Sequence, residues 1–80
     1  MLLYFEFEEK RRKADVVWPK GNDNIIVHIT DKEITNDLPA DLYYEIDNAN
    51  KVVFTIEDIA NKRLIELQNT IARKLQEISQ

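Results

Sequence analysis

The chain has 80 residues, with no cysteine, one histidine, one glycine and two prolines, and a formal net charge of −4 at pH 7. That length bounds it to a single small domain, residues 1–80, whose core is thin, because a chain this short buries only about 60% of the surface its unfolded form exposes. Disulfides, thiolate metal sites and a multi-histidine zinc site within one chain are excluded, which leaves packing or association with another chain as the source of stability.

The N-terminal stretch Leu2 to Glu9 alternates, with Leu3, Phe5 and Phe7 on one side and Tyr4, Glu6 and Glu8 on the other. Period two with one polar side is the signature of a half-buried strand. The run Lys10-Arg11-Arg12-Lys13 interrupts the pattern and reads as a loop or as the charged continuation of a guarded edge strand. Strand character resumes over Ala14–Trp18 and stops at Pro19, which lacks a backbone donor. Lys20 to Asn24, with Gly21, Asn22 and Asp23, is the clearest turn. Ile25–Thr30 is β-branched and short, a third strand with Ile25, Val27 and Ile29 on one face. The polar stretch Asp31–Asp41 reads as a connection holding a short turn of helix.

Leu42–Asp47 and Lys51–Thr55 form the next two predicted strands, joined through Asn48-Ala49-Asn50 in a hairpin of three to five loop residues. Leu42, Tyr44, Ile46, Val52 and Phe54 are the expected core positions there. The spacing then predicts one helix over 56–80, capped by Thr55 with Asp58 three residues on. Its apolar stripe is Ile56, Ala60, Leu64, Leu67, Ile71, Leu75 and Ile78, with Ile65 and Ala72 off the stripe. Strands followed by a single helix predict an α+β domain, an antiparallel sheet of four or five strands with a long amphipathic helix on one face.

Few positions suggest chemistry. His28 sits mid-strand with no nucleophile placed near it by any motif, and reads as a strand histidine on the more polar face. No phosphate loop or nucleophile elbow is written with a single glycine, the EF-hand spacing is absent because Gly21 precedes Asp23, and the lone serine is Ser79. The pattern therefore predicts no enzyme, no cofactor, no metal site and no small-molecule substrate. The longest apolar run, Met1–Phe5, is too short for a membrane span, no secretory signal pattern is visible, and a cytoplasmic location is the default expectation.

Charge is unevenly spread: residues 21–60 carry two basic and nine acidic groups, between mildly basic ends. Asp31, Glu33, Asp37, Asp41, Glu45 and Asp47 form a candidate acidic surface for a basic protein partner, including the groove of a nucleic-acid-handling protein. Lys10, Arg11, Arg12 and Lys13, with Trp18, form a candidate nucleic-acid contact, weakened by Glu6, Glu8, Glu9 and Asp15 around it, so nucleic acid is an unfavoured partner. The leading expectation is a non-enzymatic module that forms a homodimer. A helix of about 35 Å outruns strands of about 17–20 Å, so its far half would overhang the sheet and offer Ile71, Leu75 and Ile78 to a second copy, with Ile65 and Ala72 as a second, narrower seam.

Overall fold

A computed structural model describes every residue except Asn22, Asp23, Glu57 and Gln80. Five strands, β1 (Leu2–Phe7), β2 (Lys10–Val17), β3 (Ile25–Ile29), β4 (Asp41–Ile46) and β5 (Val52–Val53), form one sheet in the order β1-β2-β3-β4-β5, every neighbour antiparallel. A one-turn helix, α1 (Lys32–Thr35), lies between β3 and β4, and α2 (Lys62–Ser79) follows the sheet. This is the predicted α+β order, a meander in which each strand pairs with its neighbour in sequence.

The alternation in β1 is realised: Leu3, Phe5 and Phe7 are buried and Leu2, Tyr4 and Glu6 exposed. The hairpin closes at Phe7 opposite Lys10, so its turn is Glu8-Glu9, both with positive φ (54° and 65°). A two-residue loop with φ > 0 at both positions is the turn whose twist matches the flanking strands. It is built here without the usual Asn or Gly, and for that reason it is silent in the sequence. The basic run is therefore not a loop but a strand, paired over Lys10–Lys13 with β1 alone. It opens β2, flanked by β1 and with β3 pairing further along the same strand, and its residues alternate between faces.

Gly21 takes φ +82° in the turn before β3, while the Asn22 and Asp23 parts of that expectation lie outside the described residues. Asp31 caps α1, its carboxylate accepting from the Glu33 amide. The β4–β5 hairpin pairs Ile46 with Val52, and Asp47 ties its loop by accepting from the Ala49 and Lys51 amides. Leu42 and Tyr44 enter the core, but Ile46 is exposed and Val52 and Phe54 are only half-buried. The fifth strand keeps two of the five residues expected of it.

The helix is shorter than its periodicity implied. Asn61 starts it: its side chain accepts from the Leu64 amide and its carbonyl from the Ile65 amide, the double role of an N-cap. Asp58 instead makes the preceding turn, accepting from Ala60. The expected cap at Thr55 and first turn at 56–60 are thus corrected, Glu57 lying outside the described residues. Ile56, Ile59 and Ala60 stay in the exposed approach to the helix, because Asn61, with its side-chain oxygen and its carbonyl, takes the first free amides of the helix, those of Leu64 and Ile65. Eighteen residues span about 27 Å.

Leu64, Leu67, Gln68, Ile71 and Leu75 form the buried face of α2. The sheet curls so that both edge strands, β1 and β5, touch the helix. The expected overhang does not exist: Ile71 and Leu75 are wholly buried within one chain. The helix is shorter and the layer beneath it is curved rather than flat. Tyr44 fixes the crossing by donating its hydroxyl to the Gln68 carbonyl at 3.0 Å and setting its ring edge-on to Phe54.

Candidate functional site

Among the described residues Arg12 is the charged side chain that is buried, 5% exposed. It falls on the inner face because β2 alternates, and a buried guanidinium is tolerated only when its donors are paired. Its Nε donates to the Phe7 carbonyl at 3.2 Å, and one terminal nitrogen reaches Asp31 Oδ2 at 3.0 Å and Glu33 Oε1 at 3.1 Å. Lys10 pairs with the same Glu33 at 2.9 Å. Arg63, on the first turn of α2, grips Glu8 through two nitrogens, at 3.0 and 2.6 Å, and also reaches the Glu33 carbonyl at 3.0 Å and Asp37 at 3.4 Å. Its guanidinium lies 5.7 Å from the Phe7 ring centroid.

The cluster shifts its own acids. Hydrogen bonding from Arg63 holds the Glu8 carboxyl below the usual glutamate range, and Lys10 does the same for Glu33. Glu8 in turn raises Arg63. Every charge here is answered by another from the same chain, so the arrangement ties the β1–β2 turn, α1 and the start of α2 together. Among the described residues no three histidine, cysteine, aspartate or glutamate side chains converge to hold a metal ion.

The candidate acidic surface is accordingly divided. Asp31, Glu33 and Asp37 are spent on Arg12, Lys10 and Arg63. Asp47 is engaged in its own turn, and Asp41 meets His28 on the outer face, Oδ1 to Nδ1 at 2.6 Å. Glu45 stands exposed on the outer face. The candidate nucleic-acid contact is divided too: Arg12 points inward, Lys10 is paired, Arg11 stacks 4.8 Å from the Tyr4 ring centroid on the outer face, and Lys13 is exposed. Trp18 is half-buried against the core, its indole N–H on Met1 Sδ. The five helix positions separate likewise, with Ile71 and Leu75 buried, Ile65 and Ala72 half-buried and Ile78 exposed. A buried side chain already surrounded by its own core has no face left for a second copy, which removes Ile71 and Leu75 and leaves Ile65 and Ala72 in part and Ile78 exposed.

The feature that sequence reasoning missed is the edge of β1. Met1 and Val16 exchange both backbone hydrogen bonds, Val16 N to Met1 O at 2.7 Å and Met1 N to Val16 O at 2.9 Å. In an antiparallel ladder bonded and non-bonded pairs alternate, so Leu3, Phe5 and Phe7 bond to β2. The backbone groups of Leu2, Tyr4 and Glu6 then face away from the sheet. Among the described residues no other element bonds to them. A groove of about 620 Å³ runs along this edge, between Tyr4, Glu6 and Arg11 on one side and Thr70, Arg73 and Lys74 of α2 on the other. The opposite edge is closed: the Val52 amide donates to Gln76 Oε1 at 2.7 Å, and Gln76 Nε2 donates to the Asn50 carbonyl. Six alternating residues at the chain start were legible as a strand; that they lie at an edge follows only from strand order.

Comparison with protein-family models, with curated proteins and with solved structures finds no match for this chain. No helix among the described residues is long and apolar enough to cross a membrane.

Proposed function

We propose that this chain is a non-enzymatic interaction module that self-associates. The observation that carries this reading is the asymmetry of the two sheet edges. β5 is two residues long and stapled by Gln76, whereas β1 runs for six residues, leaves the backbone groups of Leu2, Tyr4 and Glu6 unpaired, and has an open groove beside it. Unpaired edge strands template further pairing, and folds that need to avoid it place lysine, proline or a bulge there. β1 has neither lysine nor proline and an unbroken register, and Glu6 is its single charge. Its exposed apolar side chains, Leu2 and Tyr4, gain from being covered by a neighbouring strand.

The experiment is light scattering on the purified chain at micromolar concentration. A species of twice 9.5 kDa is expected, with a monomer fraction growing on dilution. A mass that stays at 9.5 kDa over that range sinks the proposal.

A further inference from the structure

We infer that the second copy joins edge to edge, β1 against β1 in antiparallel order about a two-fold axis through Phe5, so that Tyr4 of each chain lies opposite the partner's Glu6. This rests on the self-association proposed above and names its geometry. Side chains directly opposite in an antiparallel pair share a face of the sheet, so a strand meeting its own copy pairs residues of equal parity. The bonding groups must be those of Leu2, Tyr4 and Glu6, which β2 leaves free. The symmetric registers that bring more than one of them into bonded pairs centre on Tyr4 or on either of its inward-facing neighbours.

Charge complementarity selects among them. Centring on Tyr4 sets the Glu6 carboxylate against the partner's Leu2, an apolar side chain. Centring on Leu3 leaves Glu6 beyond the paired segment. Centring on Phe5 sets Glu6 beside the partner's Tyr4, the ring over which Arg11 already lies at 4.8 Å. The carboxylate of one chain then reaches the guanidinium of the other, twice by symmetry. Each Tyr4–Glu6 pair also exchanges both of its backbone hydrogen bonds. The same patch carries both halves of the interaction, which is what an isologous two-fold contact requires. The stapled β5 edge opposes the alternative head-to-tail pairing of β1 with β5, and with it open-ended growth. On the helix side the groove at Thr70, Arg73 and Lys74 leaves the approach to the edge clear.

The test uses exposed positions. Glu6→Arg and Arg11→Glu chains are each expected to run at the monomer mass, because each puts like charges together across the axis. Their equimolar mixture is expected to recover the doubled mass, since both ion pairs are restored between unlike chains. Cysteine supplies the register, in a chain that has none of its own. Tyr4→Cys mixed with Glu6→Cys is expected to cross-link under mild oxidation, while Tyr4→Cys alone is not. Cross-linking of Tyr4→Cys alone overturns the Phe5-centred register. A wild-type dimer that survives both charge variants unchanged overturns edge pairing while leaving self-association standing. A wild-type monomer overturns self-association itself.

Discussion

At the residue scale the sharpest local conflict among the described residues lies in the β1–β2 turn. Glu8 and Glu9 both occupy left-handed backbone, where a side chain costs about 1–2 kcal/mol relative to glycine. Glu8 is compensated by its grip on Arg63, and Glu9 makes no ion pair among the described residues. Replacing Glu9 by Gly is therefore expected to stabilise the chain by about 1 kcal/mol, read as a higher urea midpoint with an unchanged slope. No sequence rule pointed to this turn, because its residue types are those of a helix surface. The burial of Arg12 was not legible for a related reason: four basic residues in a row read as one exposed patch until the strand's alternation turns the third of them inward.

At the scale of elements, the helix boundary was misplaced by a competition between two caps. Thr55 and Asp58 have suitable side chains, but Asn61 lies nearer the segment whose apolar face meets the sheet, and tertiary burial decides which first turn forms. Asn61→Ala is expected to cost about 1 kcal/mol, seen as lowered thermal stability and loss of helical signal at the N-terminal end of α2, whereas Thr55→Ala leaves both near wild type. The five strands were recognised because half-buried alternation is strong over Leu2–Phe7 and Ile25–Ile29. β5 was overestimated because Phe54 and Thr55 have strand-type side chains but leave the ladder after Val53.

At the scale of the whole molecule, the cluster of Lys10, Arg12 and Arg63 with Glu8, Asp31, Glu33 and Asp37 joins three separate segments. Glu8 and Glu33 are held below the ordinary glutamate value in the folded state, first by hydrogen bonds from Arg63 and Lys10 respectively. The unfolded chain therefore binds protons first on acidification. Their contribution is complete above the ordinary value of about 4.3 and is lost as pH falls through the lowered folded values. The urea midpoint is expected to be level from neutral pH down to about 5 and to fall below about 4, and Arg63→Gln to make that acid limb shallower. A limb unchanged by that substitution would assign acid sensitivity to other carboxylates. At the alkaline end burial raises the Tyr44 phenol, so its contribution is present below about pH 10 and declines above it.

Local periodicity, read from the sequence alone, was enough to establish the element types, the inward residues of β1, β3 and the middle of α2, and the α+β class. Those follow from side-chain geometry over a few neighbouring residues, which any stretch of chain carries with it. The order of the strands, the curvature that covers Ile71 and Leu75, the inward turn of Arg12 and the contrast between an open β1 and a stapled β5 were decided only in three dimensions. Each depends on which distant segments meet, as Gln76 meets Val52 and Arg63 meets Glu8, and a contact of that range leaves no pattern in the residues on either side of it.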